Sequence, residues 1–173
     1  MFTLRIGSLV AVLALVAVAC APKYTPEIAT QRFVTEASVP NVLGLAADVL
    51  RANELSIVAL TDTYVCGERQ YREFYRPLEG WQTWLSRPAW RLVRVSALEE
   101  DGSTHVTVTP SPSFPQAALL RFPGKPRWLG DAEARRSWCE DPTGADTPLT
   151  EEQVSLCEEL ASMIKKGLGG HES

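Results

Sequence analysis

AWRLVRVSALEEDGSTHVTVTP, residues 89–110, holds two runs in which apolar and polar side chains alternate, joined at Asp101-Gly102. Alternation with a period of two is the mark of a half-buried strand, because successive side chains leave a strand on opposite faces. Asp-Gly between two such runs is a strong signal for a two-residue hairpin turn. The register follows. Pairing Glu100 with Ser103 sets Ala97 opposite Val106 and Val95 opposite Val108, so all four share one face and Val93 continues it. His105, Thr107 and Thr109 then share the other face. A slip of one residue would mix the two sets, so this register is the favoured one.

The flanking segments supply the rest of a sheet and its cover. Upstream, Ser38 and Pro40 suit the start of a helix, and Val42, Leu45, Ala46, Val49 and Leu50 recur at helical spacing towards a left-handed stop at Asn53. Leu55–Leu60, LSIVAL, reads as a short buried strand, and Tyr64–Arg87 is read as strand, although Tyr71, Phe74 and Tyr75 also fit a helix face. Downstream, Pro110, Pro112 and Pro115 exclude a central strand. Ala117–Phe122 is expected as an edge strand, Pro123–Gly130 as loop and Asp131–Cys139 as a short helix. The last helix opens on a capping box, Thr150 with Gln153, beside a hydrophobic staple of Leu149 and Val154. Its stripe is Val154, Cys157, Leu160, Ala161 and Ile164, and Gly167 is expected to stop it. This order predicts an α+β two-layer domain: an antiparallel sheet of about four strands packed by an N-terminal and a C-terminal helix.

The chain opens with the three parts of a secretory signal: a basic residue, Arg5, an uncharged and mostly apolar run from Ile6 to Ala19, and small residues before Cys20. The uncharged run ends at Lys23, which is short for a bilayer span of about 20 apolar residues. Ala17-Val18-Ala19-Cys20 resembles the lipobox of bacterial lipoproteins, with Ala17 where that family usually has Leu. The resemblance covers residues 1–21 only. It implies cleavage before Cys20, a diacylglyceryl group on the Cys20 sulfur and acylation of the new amino terminus. Ala21, in place of Asp, implies outer-membrane sorting in a Gram-negative host. The same residues also read as the A-x-A pattern of ordinary signal cleavage. The expected organisation is a signal peptide over 1–19, a lipidated N-terminus and tether over 20–36, one domain over 37–168 and a flexible tail over 169–173. The element order also loosely resembles the helix-grip domains of some outer-membrane-assembly lipoproteins, a likeness of topology with no motif behind it.

A formal net charge of −4 argues against nucleic acid as a partner. With Cys20 lipidated, Cys66, Cys139 and Cys157 remain, and an oxidising compartment favours one disulfide among them. Cys66–Cys139 is the favoured pair and Cys157 the alternative partner, because Cys157 lies on the apolar stripe of the last helix, where a buried thiol is comfortable. No linear motif for a metal, cofactor or catalytic nucleophile occurs, so neither cofactor nor catalytic residue is expected. His105 and His171 lack a second metal ligand at a recognisable spacing, and Glu99, Glu100, Glu158 and Glu159 read as solvated surface.

One constellation stands apart. Arg72, Tyr75, Arg76, Trp81, Trp84, Arg87, Trp90 and Arg91 interleave guanidinium groups with aromatic rings, a mixture enriched where proteins recognise partners or anions. The competing readings place the tryptophans at the core edge beneath the arginines, or pair the arginines with the acidic run from Asp131 to Glu159. The expected role is therefore a membrane-anchored, non-catalytic binding or assembly module. Its partners would be the membrane, through the lipid, and an envelope protein, glycan or lipid headgroup. A periplasmic enzyme without a linear motif, or a carrier of a lipid or small amphiphile, is the alternative.

Overall fold

A computed structural model describes residues 29–75, 85–111, 114–115, 119–122, 125–128, 132–142 and 149–169. The signal segment and Cys20 lie outside the described residues, as does His171. The elements run β1 (Gln31–Thr35), α1 (Val39–Ala52), β2 (Ser56–Leu60), β3 (Tyr64–Tyr75), β4 (Leu85–Glu100), β5 (Ser103–Pro110), β6 (Phe114–Pro115), β7 (Leu119–Phe122), β8 (Lys125–Trp128), α2 (Ala132–Glu140) and α3 (Glu151–Gly167). Five strands form an antiparallel sheet in the order β1-β5-β4-β3-β2, and the two-residue β6 pairs with β4 beside it. The fold class is α+β, with five strands where about four were expected.

The β4–β5 hairpin has the register its alternation demands. Glu100 lies opposite Ser103, Ala97 opposite Val106 and Val95 opposite Val108. Asp101 and Gly102 both have positive φ, 51° and 77°, which is the backbone of the two-residue turn that matches strand twist. Val93, Val95, Ala97, Val106 and Val108 are buried in one cluster with Val42, Ala46 and Leu50 of α1 and with Cys157, Leu160 and Ile164 of α3. Each large aliphatic side chain buried here contributes about 1.5–3 kcal/mol.

The reverse face of the sheet has its own, smaller core. Cys66, Leu92, Trp138 and Cys139 are buried together there, with Trp90 and Tyr64 packed against them. Cys66 and Leu92 neighbour Val65 and Val93, which belong to the first cluster, so strand alternation sends the two sets to opposite faces. The helix α2 covers this second face and is tied to it by a disulfide, Cys66–Cys139, with Cα atoms 5.9 Å apart. Among the described residues, Cys157 is the free cysteine, and it is buried. Its Sγ donates to the Val108 carbonyl at 3.4 Å.

Several local expectations are corrected. Gln31–Thr35 falls in the stretch read as tether, yet it is a strand paired along its whole length with β5. Its polar and apolar residues do not alternate, with Phe33 and Val34 adjacent, and β5 completes the pairing. Asn53 is not left-handed, at φ −97°, and the following Glu54 is, at φ 62°. Gly167 is the last residue of α3, and the left-handed glycine is Gly169. Ser38 stands at the N-cap of α1 but its side chain makes no capping bond. Leu119–Phe122 does not extend the main sheet. It pairs with Lys125–Trp128, part of the expected loop, in a separate two-stranded unit.

Near the start of β3, Leu50 of α1 and the following Leu55 pack closely on the sheet. A Cβ on Gly67 would stand 3.1 Å from the Leu55 Cβ and 3.4 Å from a Leu50 methyl. The Leu55 Cβ is fixed to backbone and cannot swing away. Gly67→Val is therefore expected to overpack this contact and cost about 1–3 kcal/mol in urea unfolding.

Candidate functional site

The site begins with one buried glutamine. Thr150 caps α3: its Oγ1 accepts from the Gln153 amide at 3.3 Å, while Gln153 Oε1 accepts from the Thr150 amide at 2.7 Å. Gln153 is 2% exposed, and its Nε2 donates to the Ser111 carbonyl at 2.9 Å. Ser111 in turn holds β4, accepting from the Leu92 amide through Oγ at 2.7 Å and donating its own amide to the Leu92 carbonyl at 2.8 Å. The first turn of α3 is thereby pinned beside β4 at residues 91–92.

β3 and β4 continue well past the strands that flank them. Their pairing runs from Tyr64–Ser96 to Tyr75–Leu85, whereas β2 pairs β3 only as far as Glu68. Where this ribbon meets the start of α3 lies a cleft of about 730 Å³. Arg69, Tyr71, Arg72 and Arg91 line it from the ribbon, and Thr150, Glu152, Ser155 and Glu159 from the helix side. Arg69 and Arg91 are directly opposed across the two strands. Two like charges side by side repel, and each is met by a carboxylate. Arg69 Nη2 is 3.0 Å from Glu54 Oε2. Arg91 grips Glu152 with both Nη atoms, at 2.5 and 2.8 Å, and its guanidinium lies 4.1 Å above the Tyr71 ring. This two-pronged grip is the strongest form of an Arg–carboxylate contact.

The electrostatics follow. Burial alone would lower the Arg91 pKa, but hydrogen bonding to Glu152 and the nearby negative charge outweigh it and raise it on balance. The same hydrogen bond holds the Glu152 carboxyl below the usual carboxylate range, against a smaller opposing effect of burial, with help from the charge of Arg69. A carboxyl with a depressed native pKa stabilises the fold above its unfolded pKa, and that stability fades as pH falls through the native value. The Glu152 side chain is 73% exposed, so screening keeps the pair weak. Glu152→Gln is expected to cost less than about 1 kcal/mol at pH 7. Its difference from wild type should close below pH 4.5, as measured by urea unfolding across pH.

The predicted Arg and aromatic patch divides between the two faces. Arg72 is exposed and Arg91 half-buried, and both line the cleft. Trp90 packs with the reverse-face core, and the Arg135 guanidinium of α2 lies 4.4 Å above its ring. Arg135 also pairs with Glu68. Arg94 lies 4.6 Å above the Tyr64 ring. Its pKa is lowered by burial, with Tyr64 and Asp141 opposing. Tyr75 and Arg87 belong to the ribbon, but their side chains lie outside the described residues, as do Arg76, Trp81 and Trp84 entirely. Sequence reading missed Glu152 as a site residue. Its only signal was its place in the acidic run read as a counterpart to the arginines. Among the described residues, no group of His, Cys, Asp and Glu side chains is placed to hold a metal. Nor is any described helix long and apolar enough to cross a membrane.

No protein-family profile and no curated protein matches the sequence. Among solved structures, a DUF4468 family protein from Bacteroides ovatus is similar, at 8% identity over 83% of this chain and 86% of that one, with a TM-score of 0.37.

Proposed function

We propose that the protein is an envelope lipoprotein, held to a membrane by lipid on Cys20, whose domain acts as a non-catalytic binding module. The observation that carries this reading is the cleft in which Arg91, stacked on Tyr71 and beside Arg69, is gripped by the exposed Glu152. Arginine presents a preorganised fork to carboxylate or phosphate groups. An acidic group on an envelope protein, glycan or lipid headgroup competes with Glu152 for that fork, and the exposed Glu152 side chain yields at small cost. The Cys66–Cys139 disulfide suits the oxidising side of a membrane. In a Gram-negative host the lipobox resemblance puts the anchor in the outer membrane, facing the periplasm.

The alternatives have less support. A general acid needs a carboxyl with a raised pKa, and Glu152 is held down by Arg91. A lipid carrier needs a mostly apolar cavity, and the cleft is lined by charged groups of both signs.

Two measurements on the full-length protein in its native membrane test the reading. Intact mass is expected to show loss of residues 1–19 and added acyl mass at Cys20, and Cys20→Ser is expected to move the protein to the soluble fraction. A mature chain without acyl mass ends the anchor reading. A photo-crosslinking residue in place of the exposed Ser155 is expected to capture an envelope partner. Arg91→Glu should cut that capture by roughly tenfold, since reversing a gripping charge is worth at least about 1.4 kcal/mol. Capture that is absent, or unchanged in a folded Arg91→Glu protein, ends the binding reading.

A further inference from the structure

Two arginines face each other across the β3–β4 ribbon. Arg69 and Arg91 are directly opposed, so their Cβ atoms lie about 4.5–5.5 Å apart and both side chains leave the same face of the sheet. Among the described residues no other two arginines are opposed across strands. Like charges in this position destabilise a sheet. The carboxylates that meet them come from different elements: Glu54 from the turn between α1 and β2, and Glu152 from the first turn of α3. Their side chains are 77% and 73% exposed, so both contacts are screened and weak. Glu152 also leaves Arg91 incompletely met. It occupies both Nη atoms, while the Arg91 Nε is buried without a hydrogen-bond partner among the described residues.

Charge limits what displaces Glu152. The hydrogen bond from Arg91, with the charges of Arg91 and Arg69 behind it, holds the Glu152 carboxyl down against burial, so this one carboxylate sits in the field of both guanidinium groups. Glu152 is part of the chain and competes at a high effective concentration. A ligand with a single carboxylate offers Arg91 nothing beyond what Glu152 gives, and it loses translational freedom on binding. A ligand wins only where one group serves both arginines. A phosphate monoester does this. It carries a charge of about −1.5 to −2 at pH 7 and three strong acceptor oxygens. The arginine fork suits phosphate as well as carboxylate. The Tyr71 ring, 4.1 Å from the Arg91 guanidinium, keeps that group in place when Glu152 leaves.

We infer that the cleft takes a phosphate monoester, bound between Arg69 and Arg91, with Glu152 as the built-in carboxylate that it displaces. This rests on the reading of the cleft as a site for acidic groups and narrows it in two ways. The ligand's group carries two charges, and Arg69 is needed as much as Arg91. The rest of the ester is either the diacylglycerol of a lipid or a small soluble alcohol. The chemistry at the two arginines is the same for both.

The test uses the full-length protein extracted in an uncharged detergent, with the side-chain Nε–H resonances of Arg69 and Arg91 followed by NMR. Phenyl phosphate is expected to move both resonances along one saturating curve, and acetate at equal ionic strength to move neither. Arg69→Gln should weaken phenyl phosphate roughly tenfold, the loss of one charged fork. Arg69 is half-exposed, so this variant folds. Glu152→Gln should have the opposite sign and tighten binding by about fivefold, because the competing carboxylate is gone. A purely structural Arg91–Glu152 pair gives no gain in binding when it is broken. Phosphatidic acid doped into the micelles separates the two sources. Tighter binding than phenyl phosphate at equal phosphate assigns the lipid headgroup, and equal or weaker binding assigns a soluble ester. The inference is overturned if neither phosphate moves the two resonances, if acetate moves them as far, if Arg69→Gln leaves binding unchanged, or if Glu152→Gln does not tighten it. Arg91-dependent capture from Ser155 would then leave the binding module standing without its phosphate, whereas loss of that capture as well would end both readings.

Discussion

Cys66→Ser or Cys139→Ser is expected to lower stability by about 4 kcal/mol, the loop-entropy value for cysteines separated by 73 residues. For a domain of this size that is a fall in melting temperature of roughly 8–16 °C, read by calorimetry. Most of the effect should be on the unfolded chain, which regains the freedom of a long loop. The rest is local. Besides the disulfide, Trp138 and Arg135 hold the helix α2 to the reverse face, with the neighbouring rings. Dithiothreitol should reproduce the loss in the wild type and add nothing to either variant. Cys157 is the control. Its thiol is pushed up to about 12, chiefly by burial, so almost none of it is thiolate at neutral pH. Thiol reagents should therefore leave Cys157 untouched until the domain unfolds. A disulfide-free variant as stable as wild type would show that α2 docks without its crosslink.

Glu68→Ala is the second large effect, expected at about 3 kcal/mol. Glu68 and Arg135 are 17% and 11% exposed, and Arg135 is closed in by the Trp90 ring on one side and Glu68 on the other. Removing the carboxylate leaves a guanidinium in a place from which water is largely excluded. The double change Glu68→Leu with Arg135→Met should cost less than Glu68→Ala alone, because no charge is then stranded. A double-mutant cycle by urea unfolding reads the coupling. The cycle should also change with redox state. In reduced protein α2 can leave the sheet and carry Arg135 into water, so Glu68→Ala should cost less there. Equal costs in oxidised and reduced protein would mean that the ion pair and the disulfide hold α2 independently.

These two predictions concern the part of the molecule that was hardest to read from the chain. The disulfide partners could be ranked because Cys157 lay on an apolar stripe, but that ranking did not say what the bond fastens. Glu68 and Arg135 carry no mutual signal in sequence. The same holds for Arg91 and Glu152, which are 61 residues apart and meet only because Gln153 pins the start of α3 beside β4. The strand β1 was hidden for a related reason. QRFVT is polar at its start and does not alternate, and its half-buried Phe33 packs against the core only because β5 and α3 stand beside it. The interleaved arginines and aromatics were visible as a group, but alternation along β4 sends Trp90 and Arg91 to opposite faces.

What the chain determined by itself was local and periodic. The Asp101-Gly102 turn, the facing of Val95 with Val108 and Ala97 with Val106, and the Thr150–Gln153 box each depend on residues a few positions apart, whose geometry the backbone dictates. What tertiary structure decided was every pairing across a long loop: α2 on the reverse face, the carboxylate each arginine meets, and β1 beside β5. Those contacts are set by where packed elements come to rest, and that depends on the summed burial of the whole domain, which no single stretch encodes.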